Sequence, residues 1–144
     1  MLYSSRMQKI KATKIDARFA VRKAASGSGH GLFAAVPIRK KSFILEYTGR
    51  KIPTKIADTL PTRYLFHVDD EWTIDGSPRT NPARYINHAC DPNCEVEIED
   101  GRLMIYAVRK IEKGEELHFD YGDEYYREFI KDTGCKCRAK THKS

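Results

Sequence analysis

The sequence predicts a mainly β fold, a β-rich α+β domain, on three observations. Apolar residues come in short runs such as Phe43-Ile44-Leu45-Glu46-Tyr47 and Leu103-Met104-Ile105-Tyr106-Ala107, with Gly, Pro, Asn and Asp between them, the pattern of several small sheets. Segments with helical spacing are few. The length, 144 residues, fits one domain able to bury about 70% of its unfolded surface, so no second core is needed.

In chain order, residues 1–16 lack a sustained apolar period and read as a loose basic leader. Strands are expected at Phe19–Val21, Leu32–Ala35, Phe43–Tyr47, Tyr64–Val68, Trp72–Asp75, Glu95–Ile98, Leu103–Ala107 and Leu117–Phe119. Helical turns are expected at Ile56–Thr59 and at Pro82–Ile86, where proline suits a first helical position. A helix is expected over Asp123–Lys131, with Tyr126, Phe129 and Ile130 on one face.

The composition, 40% hydrophobic and 32% charged, is that of a soluble globular protein. No apolar run approaches the roughly 20 residues that span a bilayer, and the amino terminus lacks the apolar segment of a secretory signal. An intracellular, reducing location follows as the expectation. The four cysteines are therefore read as thiols or metal ligands rather than cystines, the more so because Cys135 and Cys137 are too close to bridge easily. The net charge of +6 is uneven: residues 1–23 carry seven basic side chains against one acid, whereas residues 24–122 carry thirteen against fifteen. A mildly acidic body suits a cationic peptide, and basic ends suit nonspecific contact with DNA or simple solubility.

The segment Arg84-Tyr85-Ile86-Asn87-His88-Ala89-Cys90-Asp91-Pro92-Asn93-Cys94 packs more polar and metal-capable side chains than a core element tolerates. Asp-Pro-Asn is a turn, which presents the residues before it at its mouth. Read alone, it is equally a site or a polar loop with two buried thiols. Gly29-His30-Gly31 permits close backbone approach, but neither a P-loop ending nor a dinucleotide spacing follows, which excludes a nucleotide-phosphate cradle.

Together with Gly29-His30-Gly31-Leu32-Phe33-Ala34, Glu46-Tyr47-Thr48-Gly49 and Gly114-Glu115-Glu116-Leu117-His118-Phe119-Asp120-Tyr121-Gly122, this segment resembles the ordered motifs of SET-domain protein lysine methyltransferases, with Ala89 in the place of a serine. The resemblance covers residues 17–142. It implies a SET fold with a pseudoknot that joins residues 84–94 and 114–122 in one active site, an exception to the rule against threaded loops. It divides the chain into the leader 1–16, a SET domain 17–122 and a post-SET-like helix and Cys/His tail 123–144. The implied reaction moves a methyl group from S-adenosylmethionine to a lysine of a histone or another basic tail, with the acidic run Asp69-Asp70-Glu71 facing the peptide. The competing expectation is a catalytically silent SET fold that binds peptide or nucleic acid, and in either case a monomer.

Residue by residue, the resemblance makes Tyr121 and Tyr47 the catalytic pair. Tyr121 orients the amine, its own pKa near 10 making it a poor base. Tyr47 lines the lysine channel. Phe119, two residues before Tyr121 and so on the same strand face, is implied to set product specificity toward di- or trimethyl-lysine. Gly29, His30, Gly31, Tyr64, Arg84, Asn87 and His88 are implied to bind the cofactor, with His30 exposed and contributing main chain. Cys90, Cys135, Cys137 and His142 are implied to hold a structural zinc, His142 standing where the family has cysteine and Cys94 being the substitute fourth ligand. Glu115, Glu116 and Asp120 are read as solvated structural charges.

Overall fold

β1 (Phe19–Lys23) and β2 (His30–Ala34) form an antiparallel hairpin in the computed structural model, which describes residues 16–27 and 29–122. Gly27 and Gly29 stand in its loop at φ of 81° and 77°, a conformation that strains any residue with a Cβ. The Arg18 guanidinium donates to the carbonyls of Phe43 and Ile44 at 3.1 and 3.0 Å, which fastens the hairpin to β3 (Phe43–Tyr47).

β3 belongs to a three-stranded antiparallel sheet with β8 (Cys94–Glu99) and β9 (Arg102–Ala107), in the order β3-β9-β8. Asp100 and Gly101 join β8 to β9 with φ of 53° and 75°, the two-residue turn whose twist matches antiparallel strands. Period two is visible in β9, where Leu103, Ile105 and Ala107 are buried and the residues between them are not. These residues, with Leu32, Ile44, Ile86, Ile111 and Leu117, make the core; each large aliphatic side chain so buried contributes about 1.5–3 kcal/mol.

A second antiparallel sheet has the order β4-β6-β5, from β4 (Arg50–Pro53), β5 (Leu65–His67) and β6 (Trp72–Asp75). The short helix α1 (Thr54–Ala57) follows β4 directly. Between β5 and β6 the Asp69 carboxylate accepts the N–H groups of Glu71 and Trp72 at 2.8 and 2.7 Å. One of the three acids expected to face a peptide is thus spent on its own turn.

After a 3₁₀ turn at Pro82–Tyr85, the two-residue strand β7 (Asn87–His88) pairs in parallel with β10 (His118–Phe119). The two distant motifs therefore meet, as expected. Asn93, 2% exposed, fastens them: its Nδ2 donates to Glu116 O at 2.9 Å and to Glu115 Oε2 at 3.2 Å, while its Oδ1 accepts the His118 N–H at 2.8 Å.

β4 and β7 are not among the expected strands. In Arg50-Lys51-Ile52-Pro53 only Ile52 is buried, so no alternation betrays the strand; its ladder with β6 forms it. β7 is too short to carry a period. The remaining strand expectations stand within about two residues of the observed bounds, which is the usual fraying of such assignments. Helical turns occur at Thr54–Ala57, earlier than Ile56–Thr59, and at Pro82–Tyr85. The basic leader up to residue 15, the helix expected at Asp123–Lys131, and Cys135, Cys137 and His142 lie outside the described residues. Among the described residues, no helix is long and apolar enough to cross a membrane.

Candidate active site

Tyr121 occupies the junction of the two motifs. Its hydroxyl donates to the Ile86 carbonyl, and its backbone N–H donates to His88 Nδ1 at 3.1 Å. Because Nδ1 accepts, the ring proton of a neutral His88 lies on Nε2, which is 3.4 Å from Cys90 Sγ. The His88 ring stands edge-on to Tyr121 with centroids 5.5 Å apart, and Asp120 Oδ1 lies 3.7 Å from Nδ1.

A cavity of about 520 Å³ opens beside Tyr121, its inner wall formed by Tyr47, Tyr64, Phe66, Arg84, Ile86 and Phe119. The rings form a continuous chain: Tyr47 to Phe66 at 5.5 Å, Phe66 to Phe119 at 6.0 Å and Phe119 to Tyr121 at 5.0 Å. Tyr47 is 5% exposed and its hydroxyl donates to Tyr64 O at 2.8 Å, so the ring is fixed at both ends. The Arg84 guanidinium lies 4.5 Å from the face of Tyr64 and 5.3 Å from that of Tyr85; its buried Nε has no hydrogen-bond partner. Tyr47, Tyr64, Arg84, Phe119 and Tyr121 are thereby brought to one cavity.

Gly29, His30, Gly31, Asn87 and His88 are not in that wall. His30, Gly31 and Asn87 meet on a polar side, around a residue the sequence reading set aside as a solvated charge, while Gly29 stands in the adjoining loop and His88 packs against Tyr121 and Cys90. Glu116 is 8% exposed. Its carboxylate accepts the Ala25 N–H at 3.1 Å and an Asn87 Nδ2 hydrogen at 3.0 Å, and it lies 3.4 Å from His118 Nε2. Asn87 Nδ2 also donates to His30 O at 3.0 Å. His30 is exposed and its carbonyl accepts the Asn87 side chain. At Gly31 a Cβ would fall 2.4 Å from Glu116 Oε2, so this glycine makes room for a carboxylate of its own chain. The sequence signal was the alternation in Glu116-Leu117-His118-Phe119-Asp120-Tyr121, which sets three polar residues on one face and three apolar or aromatic ones on the other.

Burial pushes the His118 imidazole below its ordinary value, against the opposing pull of Glu116 and Glu115. Burial also pushes the Cys94 thiol up to about 12. Cys94 is 1% exposed and its Sγ donates to Asn93 Oδ1 at 3.4 Å, so it packs as a thiol in the core. Cys90 is half-buried. Among the described residues no group of three His, Cys, Asp or Glu side chains is placed to hold a metal ion. Three of the four expected zinc ligands lie outside those residues.

Residues 29–122 match the family described as SET domain. The chain is similar to a histone-lysine N-methyltransferase, H3 lysine-4 specific, of Emericella nidulans, at 39% identity over 92% of this chain and 12% of that protein. It is similar to the histone-lysine N-methyltransferase trr of Drosophila melanogaster, at 38% identity over 77% of this chain and 5% of the relative. The histone-lysine N-methyltransferase set1 of Dictyostelium discoideum is 38% identical over 78% of this chain and 8% of its own length. The chain thus spans about an eighth or less of the curated relatives it matches.

Proposed function

Because this chain belongs to the SET-domain family, we propose that it is a protein-lysine N-methyltransferase that uses S-adenosylmethionine and acts on a histone tail, with lysine 4 of histone H3 as the first substrate to test. The observation that carries this reading is the placement of the Tyr121 hydroxyl, hydrogen-bonded to Ile86 O beside a cavity that Tyr47, Tyr64, Phe66 and Phe119 line together with Asp58, Arg63 and Arg84.

A lysine amine has an ordinary pKa of about 10.4 and must lose its proton before it can attack carbon. An aromatic cavity desolvates the ammonium and so favours the neutral form. The single phenol proton of Tyr121 is taken by Ile86, so toward any further polar partner the oxygen accepts. It can accept an amine N–H, which fixes the direction of the nitrogen lone pair, and it favours the positive charge that grows on nitrogen. Tyr47, Phe66 and Phe119 line the cavity, and aromatic rings attract methylated ammonium groups by about 0.5–2 kcal/mol. Phe119 places no hydroxyl in the channel, which supports di- or trimethylation.

The polar side fits the donor. Both N–H groups of Asn87 are occupied, which leaves Oδ1 to accept from an ammonium, and the exposed Gly29 has open space beside it. Asn87, main-chain groups of His88 and the Gly29–Gly31 turn would hold S-adenosylmethionine. When bound, that molecule supplies an electrophilic methyl carbon and leaves as a neutral thioether. The half-buried thiol of Cys90 fits a structural zinc completed by Cys135, Cys137 and His142, a Cys₃His set. Work on chromatin in a nucleus goes with this reading.

The test is intact-mass and peptide mass spectrometry of core histones after incubation with S-adenosylmethionine and the protein, with Tyr121→Phe in parallel. Methyl groups on lysine, formed about 10²–10³-fold more slowly by the variant, support the reading. Cofactor binding with no methyl transfer to any basic protein would replace it with a silent binding module.

A further inference from the structure

We infer that Glu116 is a positioning residue for the methyl-donor side of the site: its carboxylate fixes which end of the Asn87 amide faces the donor, and Gly31 is glycine in order to admit it. The inference rests on the methyltransferase reading and adds a residue to its machinery.

Space is the first argument. The ideal Cβ of a residue at position 31 would lie 2.4 Å from Glu116 Oε2 and 2.8 Å from its Cδ, so the carboxylate fills the volume a side chain would need. Satisfaction is the second. The Glu116 side chain is 6% exposed, and a carboxylate that deep is tolerated only when hydrogen-bonded. Its partners come from three separate segments: Ala25 N–H in the β1–β2 loop, Asn87 Nδ2 in β7 and His118 Nε2 in β10. One carboxylate thus ties the glycine-bearing loop to both central strands of the site.

The amide supplies the third argument. Asn87 Nδ2 donates to His30 O and to Glu116 Oε2, each at 3.0 Å. Neither of these groups can donate in return, so turning the amide over would set its oxygen against two acceptors. The amide is therefore locked with Oδ1 away from them, and among the described residues Oδ1 has no hydrogen-bond partner. An oxygen so presented selects a donor such as the α-ammonium of an amino acid. Were Glu116 replaced by glutamine, only one oxygen would remain for two donors, Ala25 N–H and Asn87 Nδ2, and the side chain's own NH₂ would oppose one of them. Half of the lock would open.

The experiment is calorimetric binding of S-adenosylhomocysteine to the wild-type chain, Glu116→Gln, Asn87→Ala and the double variant, with the Michaelis constant for a histone peptide measured alongside. Glu116→Gln should weaken binding about tenfold, Asn87→Ala by at least as much, and the double variant no further than Asn87→Ala alone. The peptide constant should stay within about twofold, a split that a general loss of structure does not produce. Gly31→Ala gives a second route, since it displaces the carboxylate without removing it; it should weaken binding by a similar factor, and it decides the matter if Glu116→Gln loses its circular-dichroism fold. Unchanged binding in Glu116→Gln, or losses that simply add in the double variant, would overturn the inference. Failure of the wild-type chain to bind S-adenosylhomocysteine would instead overturn the reading beneath it.

Discussion

The two walls of the site are built by different forces. The polar wall, around Glu116 and Asn87, is specified by directional hydrogen bonds between the β1–β2 hairpin, β7 and the segment that leads into β10. The aromatic wall, from Tyr47 through Phe66 and Phe119 to Tyr121, is specified by the volume and tilt of rings. Each wall rests on a glycine that leaves room for its central group: Gly31 for the Glu116 carboxylate and Gly76 for the Tyr47 ring, where a Cβ would fall 2.3 Å from Cε1. The obstacle at Gly31 is the far end of a flexible chain. At Gly76 it is a rigid ring pinned by its own hydroxyl, with Asn81 Nδ2 close behind at 2.6 Å.

That contrast is broken most directly by filling both spaces. Gly76→Ala must push a buried tyrosine and a 1% exposed asparagine that bonds Gly76 O and Thr48 N, and we expect a loss of about 3 kcal/mol in urea unfolding. Gly31→Ala displaces one carboxylate and should lose about half as much stability while losing donor binding. Equal losses of stability would mean that the aromatic wall yields as readily as the polar one.

The aromatic wall is sharpened by a smaller change. Phe119 is 2% exposed, with its ring between those of Phe66 and Tyr121. Phe119→Tyr adds one hydroxyl to this packing at a cost of about 1–3 kcal/mol if it finds no partner. Mass spectrometry of the peptide product should show monomethyl-lysine accumulating at the expense of higher states, because the added oxygen occupies space a methylated amine needs. An unchanged product distribution would remove Phe119 as the determinant of methylation state.

How much of this was legible in the sequence follows the same division. The aromatic wall largely was: Tyr47 falls on β3 and Phe119 on β10, where strands were expected, Tyr121 follows two residues after Phe119, and β3 and β6 have the expected bounds. The polar wall was legible only in part. Asn87 stood out by its motif, but β7 has no period of its own and exists because β10 lies beside it. Alternation could place Glu116 opposite Leu117, yet nothing local says whether that face meets water. The answer lies in Gly31, a residue far away in the chain whose missing Cβ leaves room for the carboxylate. Long-range pairings of this kind are settled by tertiary contact, which leaves no periodic trace.

The smallest effect tests the polar wall from its other end. His118 is held below its ordinary value of 6.5 by burial, although Glu116 and Glu115 pull it upward and Arg109 adds to the depression. The unfolded chain therefore takes up a proton on this ring near pH 6.5, while the folded chain does so only at lower pH. Over that interval the unfolded state binds more protons, so this residue makes stability fall as the pH is lowered from about 6.5 to the folded value, and it contributes no slope above or below. His118→Gln keeps a side-chain N–H that can reach Glu116 but cannot titrate. Urea midpoints measured between pH 8 and pH 5 should decline less on the acid side for this variant than for the wild-type chain, and should run parallel to it above pH 7. A difference that is constant across the range would show that the His118 ring titrates alike in the folded and unfolded chain, so that burial does not set its protonation.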